Sequence, residues 1–250
     1  MLRDFEDAHG HAIYDYFKKK TGYEIIERDD GYVDISGGPA AYFREYRDWG
    51  KHEKEAMKRV KGRVLDIGCG AGRHALYLQN KGFEIVGVDI SPLAIKVCKE
   101  RGLRYAEVLS ITQVSSKLGK FDTILMLGNN FGLFENPRRA GWLLRRFKSI
   151  TSKNARIIAE TRDPYVTDNP DHLSYHELNR KRGRMPGQVR IRVRYRRYAT
   201  PWFDYLLVSK SEMQEILEGT GWRIKEFIDG KEGMYIAVIE KSVISISSVI

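Results

Sequence analysis

Two carboxylates and three glycines are the residues of this sequence best placed to do chemistry. Residues 63–67 form a short apolar strand carrying Asp66, which runs into Gly68-Cys69-Gly70-Ala71-Gly72; helical spacing resumes with Ala75, Leu76 and Leu78. Glycines between a strand and a helix let backbone amides approach a ligand closely, at the carboxyl edge of a parallel sheet. A dinucleotide fingerprint would place its third glycine at position 73, which is Arg73. The spacing is instead Asp-x-Gly-x-Gly-x-Gly, and the acid before the loop suits a ligand with a cationic end. The second carboxylate, Asp89, ends the next apolar strand, 23 residues beyond Asp66. A carboxylate there can accept both hydroxyls of a ribose.

One cationic group near Asp66 and one ribose at Asp89 describe S-adenosylmethionine better than NAD. Methyl transfer from a sulfonium needs alignment and exclusion of water more than it needs acid–base groups. A base is required only where the nucleophile must lose a proton. Candidate bases are His172 and His176, which would share one face of a helix. Their spacing also suits a metal, but no third ligand is evident and no metal is expected. Asn129 and Asn130 offer amide donors and acceptors for orienting a nucleophile, and equally suit a turn. Tyr42, Tyr46 and Trp49 would share a helical face, either packed on the sheet or forming a lid whose Tyr42 and Tyr46 hydroxyls reach the site.

The elements that must position these residues follow from periodicity. Strand and helix patterns alternate from residue 62, with strands at 83–89, 103–109, 121–127 and 155–160. Ser91-Pro92 and Asn136-Pro137 start helices, and Ser209 to Glu212 forms a capping box. This alternation predicts a doubly wound, mostly parallel α/β sheet closed by an antiparallel pair at 222–228 and 234–239. The domain reading is an N-terminal helical extension or lid over 1–60, with a helix across 40–60, and a cofactor-binding core over 61–162. A β-containing substrate cover inserted over 163–205, core completion over 206–241 and a tail over 242–250 complete it.

The net charge is +10, from 43 Lys and Arg against 33 Asp and Glu. Residues 171–205 concentrate it, with nine basic side chains against three acidic. Within them Arg190, Arg192, Arg194 and Arg196 alternate with Val189, Ile191, Val193 and Tyr195, as on a half-exposed strand. Such a row could meet an anionic small substrate, an RNA or neighbouring carboxylates. Stacking aromatics are sparse there, which disfavours RNA. The two cysteines, Cys69 and Cys98, make no disulfide framework. No apolar run is long enough for a signal peptide or a membrane span, so a soluble cytoplasmic protein is expected.

Residues 63–101, RVLDIGCGAGRHALYLQNKGFEIVGVDISPLAIKVCKER, resemble the opening half of a class I S-adenosylmethionine-dependent methyltransferase. The resemblance covers residues 60–162 closely and 205–240 in outline. It implies a Rossmann-like seven-stranded sheet with an antiparallel last strand, and S-adenosylmethionine as cofactor. Gly68, Gly70 and Gly72 would line the methionine part, with Asp66, Cys69 and Arg73 also cofactor-binding, Asp89 would bind the ribose, and Ile90 would pack on adenine. Many members place an acid after the third strand at the adenine; Ser110, followed by Ile111, stands there instead. Leu127, Gly128 and Asn129 fall where members hold cofactor and substrate together. The expected activity is methyl transfer to a small or medium-sized acceptor, anionic in one reading. The alternatives are an RNA or protein methyltransferase docking through the arginine strand, and a cofactor-binding module without turnover.

Overall fold

The computed structural model describes residues 2–242, so the tail beyond Ser242 lies outside the described residues. Asp7 caps helix α1 (Ala8–Phe17) by accepting the Gly10 N–H. Strands β1 (Ile25–Arg28) and β2 (Val33–Ile35) follow as an antiparallel hairpin. Two 3-10 turns, Pro39–Phe43 and Tyr46–Asp48, precede α2 (Lys51–Met57), so the single helix expected across 40–60 is broken. The cause is local: Arg44 and Trp49 are extended, and the Trp49 indole donates to the Arg44 carbonyl at 3.0 Å. This turns Trp49 into the core, against Tyr46, Tyr77 and His74.

The core then winds as the sequence predicts. It runs through β3 (Val64–Ile67), α3 (Arg73–Asn80), β4 (Ile85–Asp89), α4 (Pro92–Glu100), β5 (Ala106–Val108), β6 (Phe121–Met126), α5 (Pro137–Phe147) and β7 (Thr151–Arg162). Ser91 and Asn136 cap α4 and α5, each with Pro at the first helical position. β5 is shorter than its apolar run. β7 is longer, because it pairs with β6 on one side and the closing hairpin on the other.

After β7 come α6 (Pro170–Lys181), β8 (Gln188–Tyr195), β9 (Tyr198–Ala199) and β10 (Phe203–Leu206). The insertion expected to be β-containing also holds a helix, α6, whose cap is Asn169, whose first residue is Pro170 and which carries His172 and His176. Then α7 (Lys210–Leu217), β11 (Trp222–Asp229) and β12 (Met234–Lys241) complete the core. The main sheet has the order β11-β12-β7-β6-β3-β4-β5, and β12 runs antiparallel to both its neighbours. Both faces are covered, by Leu65, Ile124, Leu144 and Ile157 on one side and Leu78, Ile95, Leu125 and Ile158 on the other.

A second sheet of five strands joins the two ends of the fold. β1 lies between β2 and β8, and β10 and β9 pair with β8. The N-terminal segment is thus not a helical extension alone; it shares a sheet with the insertion. Cross-strand chemistry fixes the register: Glu27 faces Arg192 and accepts from its Nε and Nη2, at 2.8 and 2.9 Å. Arg194 also reaches Glu27, and Arg190 donates to Asp204 at 3.0 Å. Arg196 leaves the row altogether. It sits at φ 52 in the β8–β9 turn, paired with Asp15.

Candidate cofactor site and acceptor cleft

The glycine loop opens at the carboxyl ends of β3 and β4. Gly68, Gly70 and Gly72 have φ of 71, 54 and 79°, where side chains are strained. Much of the loop's backbone is held by groups outside it. The Gly68 and Cys69 N–H groups donate to the Val88 carbonyl, and Gly70 N–H donates to Asp89 Oδ2 at 2.9 Å. Asp89 Oδ1 accepts from Ser91 N–H, also at 2.9 Å. The Cys98 thiol donates to the Gly70 carbonyl, and Arg101 to that of Ala71. Asn130 Nδ2 donates to the Ile67 and Gly68 carbonyls at 2.9 and 3.0 Å. Asn130 is therefore a brace for the loop rather than a group that orients a nucleophile.

Around this loop lies a ring of buried carboxyl groups and their partners. Asp66 is 2% exposed, and its Oδ2 has no partner among the described residues. Burial pushes it up to about 7, against the opposing pull of Arg73. Glu53, on α2, pairs with Arg73 at 2.8 Å and with His74 at 3.3 Å. Burial alone would raise Glu53, but His74, Arg73 and the Gly50 N–H outweigh it and hold the carboxyl at about 2. At the end of β7, buried Glu160 accepts from Gly128 and Asn129 N–H through Oε2 and pairs with His52 at 3.0 Å through Oε1. The hydrogen bond to Glu160 raises His52 above the ordinary imidazole range.

The cover supplies the opposite wall. The Tyr42 ring lies against Gly70, 3.2 Å from where a Cβ would stand, and its hydroxyl meets His9 Nδ1 at 3.2 Å. Tyr205, on β10, donates its hydroxyl to the Asn129 carbonyl at 2.6 Å. Asn129 itself is left-handed at φ 64, and its Oδ1 is buried without a partner among the described residues.

Tyr46 instead stacks on Tyr77 with centroids 4.6 Å apart, outside the cleft. The His pair stays within the second sheet's surroundings: His172 meets Thr167 and Tyr32, and His176 lies edge-on to Tyr165. Neither histidine joins the glycine loop. Ile90 is 42% exposed beside Asp89, Ser110 Oγ meets Thr112 Oγ1, and Ile111 is buried. Sequence reasoning missed His9, Glu24, His52, Glu53, Glu160 and Tyr205. No motif marks them, since they sit on α1, α2, β7, β10 and the segment before β1, which only long-range packing brings together. Among the described residues no cluster of three or more His, Cys, Asp or Glu could hold a metal, and no helix could cross a membrane.

The likenesses to known proteins agree with this geometry. Residues 64–153 match the family model described as a methyltransferase domain. The chain is 26% identical over 159 residues, 58% of its length, to a glycine/sarcosine N-methyltransferase of Halorhodospira halochloris. It is 38% identical over 87 residues, 30% of its length, to a 2-heptyl-1-hydroxyquinolin-4(1H)-one methyltransferase of Mycobacteroides abscessus. The matches span 57% and 38% of those two proteins. A solved methyltransferase of Bacteroides fragilis, in complex with S-adenosyl-L-homocysteine, superposes with a TM-score of 0.83 at 26% identity, covering 97% of this chain and 98% of its own. Residues 64–153 are a methyltransferase domain, the fold is that of the class I S-adenosylmethionine-dependent methyltransferases, and S-adenosylmethionine is the cofactor. The residues present fit that cofactor. Asp66 Oδ2 lacks a donor that an ammonium would supply, Gly70 takes a left-handed φ of 54° with the Tyr42 ring close above it, and Ile90 offers an exposed apolar face next to Asp89.

Proposed function

We propose that this chain methylates a nitrogen or oxygen of a small molecule that is neutral or cationic at that end. The observation that carries this reading is the state of the arginine strand. Arg190, Arg192, Arg194 and Arg196 are each paired with Asp204, Glu27 or Asp15, so the row offers little free charge to a polyanion or to an anionic acceptor. The glycine loop, by contrast, is bordered by the carboxyl groups of Asp66, Asp89 and Glu160, and Asp66 Oδ2 has no partner among the described residues. The cofactor supplies an electrophilic methyl on a sulfonium. In this reading Asp66 holds the cofactor's ammonium and Asp89 its ribose. Tyr42 and the Tyr205–Asn129 link exclude water from the space above Gly70, where alignment contributes most. Asn129 Oδ1 is an open acceptor for an N–H or O–H of the incoming molecule.

The test is tritium transfer from methyl-labelled cofactor into the small-molecule, RNA and protein fractions of a cell extract. Label in the small-molecule fraction, carried by an amine or hydroxyl compound, is the expected result. Label confined to RNA or protein would overturn the choice of acceptor. Unconsumed cofactor would return the chain to the class of binding modules.

A further inference from the structure

We propose that His9, oriented by Glu24, is the base that takes the acceptor's proton, an inference that rests on the methyltransferase reading above. Glu24 is 1% exposed, and its Oε1 lies 2.5 Å from His9 Nδ1. Its other oxygen accepts from Ser36 Oγ at 3.4 Å. A buried carboxylate against Nδ1 selects the tautomer with the proton on Nδ1 and leaves the Nε2 lone pair free. The imidazole keeps 37% of its side-chain surface, and Nε2 makes no hydrogen bond among the described residues.

Its place in the fold is fixed from three sides. Asp7, two residues earlier, accepts from Ser91 Oγ at 2.9 Å and from Leu93 N–H at 3.2 Å, which pins the start of α1 to the start of α4. Ser91 N–H in turn bonds Asp89. Tyr42 joins His9 Nδ1 to Gly70. The charged and titratable groups facing His9 are thus Glu24, Asp7, Asp89 and Tyr42. Burial, the largest single influence, lowers the imidazole, but Glu24, Asp89 and Asp7 together raise it above its ordinary range. His52, also bound to a carboxylate, turns its second nitrogen back onto Gly50 and is less suited to this task.

The step balances. The acceptor's lone pair forms the bond to the methyl carbon as the carbon–sulfur bond breaks, with its electron pair staying on sulfur. The acceptor's N–H or O–H proton passes to His9 Nε2, and the imidazolium so formed is stabilised by Glu24. The positive sulfonium of a cofactor bound over the loop would also disfavour protonated His9, leaving the base neutral when it is needed.

The experiment is an NMR titration of the His9 imidazole in the cofactor-free protein, with S-adenosylhomocysteine and with S-adenosylmethionine. Expected are an Nδ1–H tautomer, a midpoint lowered by Glu24→Gln, and a midpoint about one pH unit or more lower with the sulfonium than with the uncharged thioether. An Nε2–H tautomer, or equal midpoints with the two ligands, overturns the proposal. In parallel, tritium transfer into the small-molecule fraction of a cell extract should fall about 100-fold or more in His9→Gln, with S-adenosylhomocysteine affinity kept within about twofold. Undiminished transfer by His9→Gln overturns the proposal as well. If the wild-type protein itself transfers nothing, the methyltransferase reading fails and the proposal falls with it, whereas a defect confined to the variant supports His9.

Discussion

The hydroxyl of Tyr205 donates to the main-chain carbonyl of Asn129 at 2.6 Å, across 76 positions of sequence. This bond ties the inserted cover to the loop that follows β6, and the Tyr205 ring fills the space above Gly132, where any Cβ would collide with it. Burial raises the phenol well above its ordinary range, so it remains a donor at every working pH. Tyr205→Phe should cost about 1 kcal/mol in urea unfolding. It should also loosen the acceptor's KM more than cofactor affinity. Equal losses in both would show that the bond serves the cofactor instead.

Asp89→Ala should weaken S-adenosylhomocysteine binding by about 1.5–3 kcal/mol, the loss of hydrogen bonds to a charged acceptor. The carboxylate also holds the Gly70 and Ser91 N–H groups, so Asp89→Asn, which keeps one acceptor oxygen, should fall between. Calorimetry checks the order; unchanged affinity in a folded Asp89→Ala protein would remove the ribose assignment.

Asp66 gives the site a pH dependence. Its folded carboxyl sits at about 7, above the usual value near ~4, so the folded state binds more protons than the unfolded chain between these limits. Its contribution to stability is complete below about pH 4 and disappears as pH rises through about 7. An ammonium against Asp66 requires the ionised form. S-adenosylhomocysteine affinity should therefore rise by up to about tenfold per pH unit from pH 5.5 towards 7 and then level, with proton release below 7. Asp66→Asn should flatten this profile, and a flat wild-type profile would contradict the pairing.

Glu53 behaves in the opposite sense. Held at about 2, it contributes stability that is present above about pH 4.5 and lost as pH falls through about 2. Glu53→Gln leaves Arg73 and His74 without their shared carboxylate and should cost about 3 kcal/mol at pH 7. In urea titrations the gap between wild type and variant should narrow towards pH 3. A gap that stays constant would mean that the carboxylate charge is not what stabilises this corner.

The arginine strand should respond as a structural element. A double-mutant cycle on Glu27 and Arg192 should give a coupling of about 1 kcal/mol, as for a bidentate, partly exposed pair. Replacing Arg190, Arg192, Arg194 and Arg196 with Gln should lower the melting temperature and leave cofactor affinity intact. Tight, salt-sensitive RNA binding that the fourfold variant loses would reverse this reading.

The Rossmann-like core was legible because its signals are local. Strand periodicity, Ser91-Pro92, Asn136-Pro137 and the Asp66 to Gly72 spacing each decide their own neighbourhood, and the structure follows them. The cover was illegible for the complementary reason. Glu27 is unremarkable in sequence until β8 sets Arg192 beside it, and His9 has no meaning before Glu24 and Tyr42 close around it. Tyr42 was picked out for a helical face that does not exist, yet it reaches the cleft, whereas Tyr46 and Trp49 turn towards Tyr77.

The sheet shared by β1 and β8 also sets an order of events during synthesis. Glu27 must wait 165 residues for Arg192, so β1 and β2 leave the ribosome as a two-stranded ribbon with an open edge, which is marginal in water. By the time β8 emerges, β3 to β7 are already available to fold among themselves. The cofactor floor can therefore form before its cover. Slow closure of the β1–β8 edge, with its high contact order, is the step at which a nascent chain would be exposed to mispairing with a neighbour.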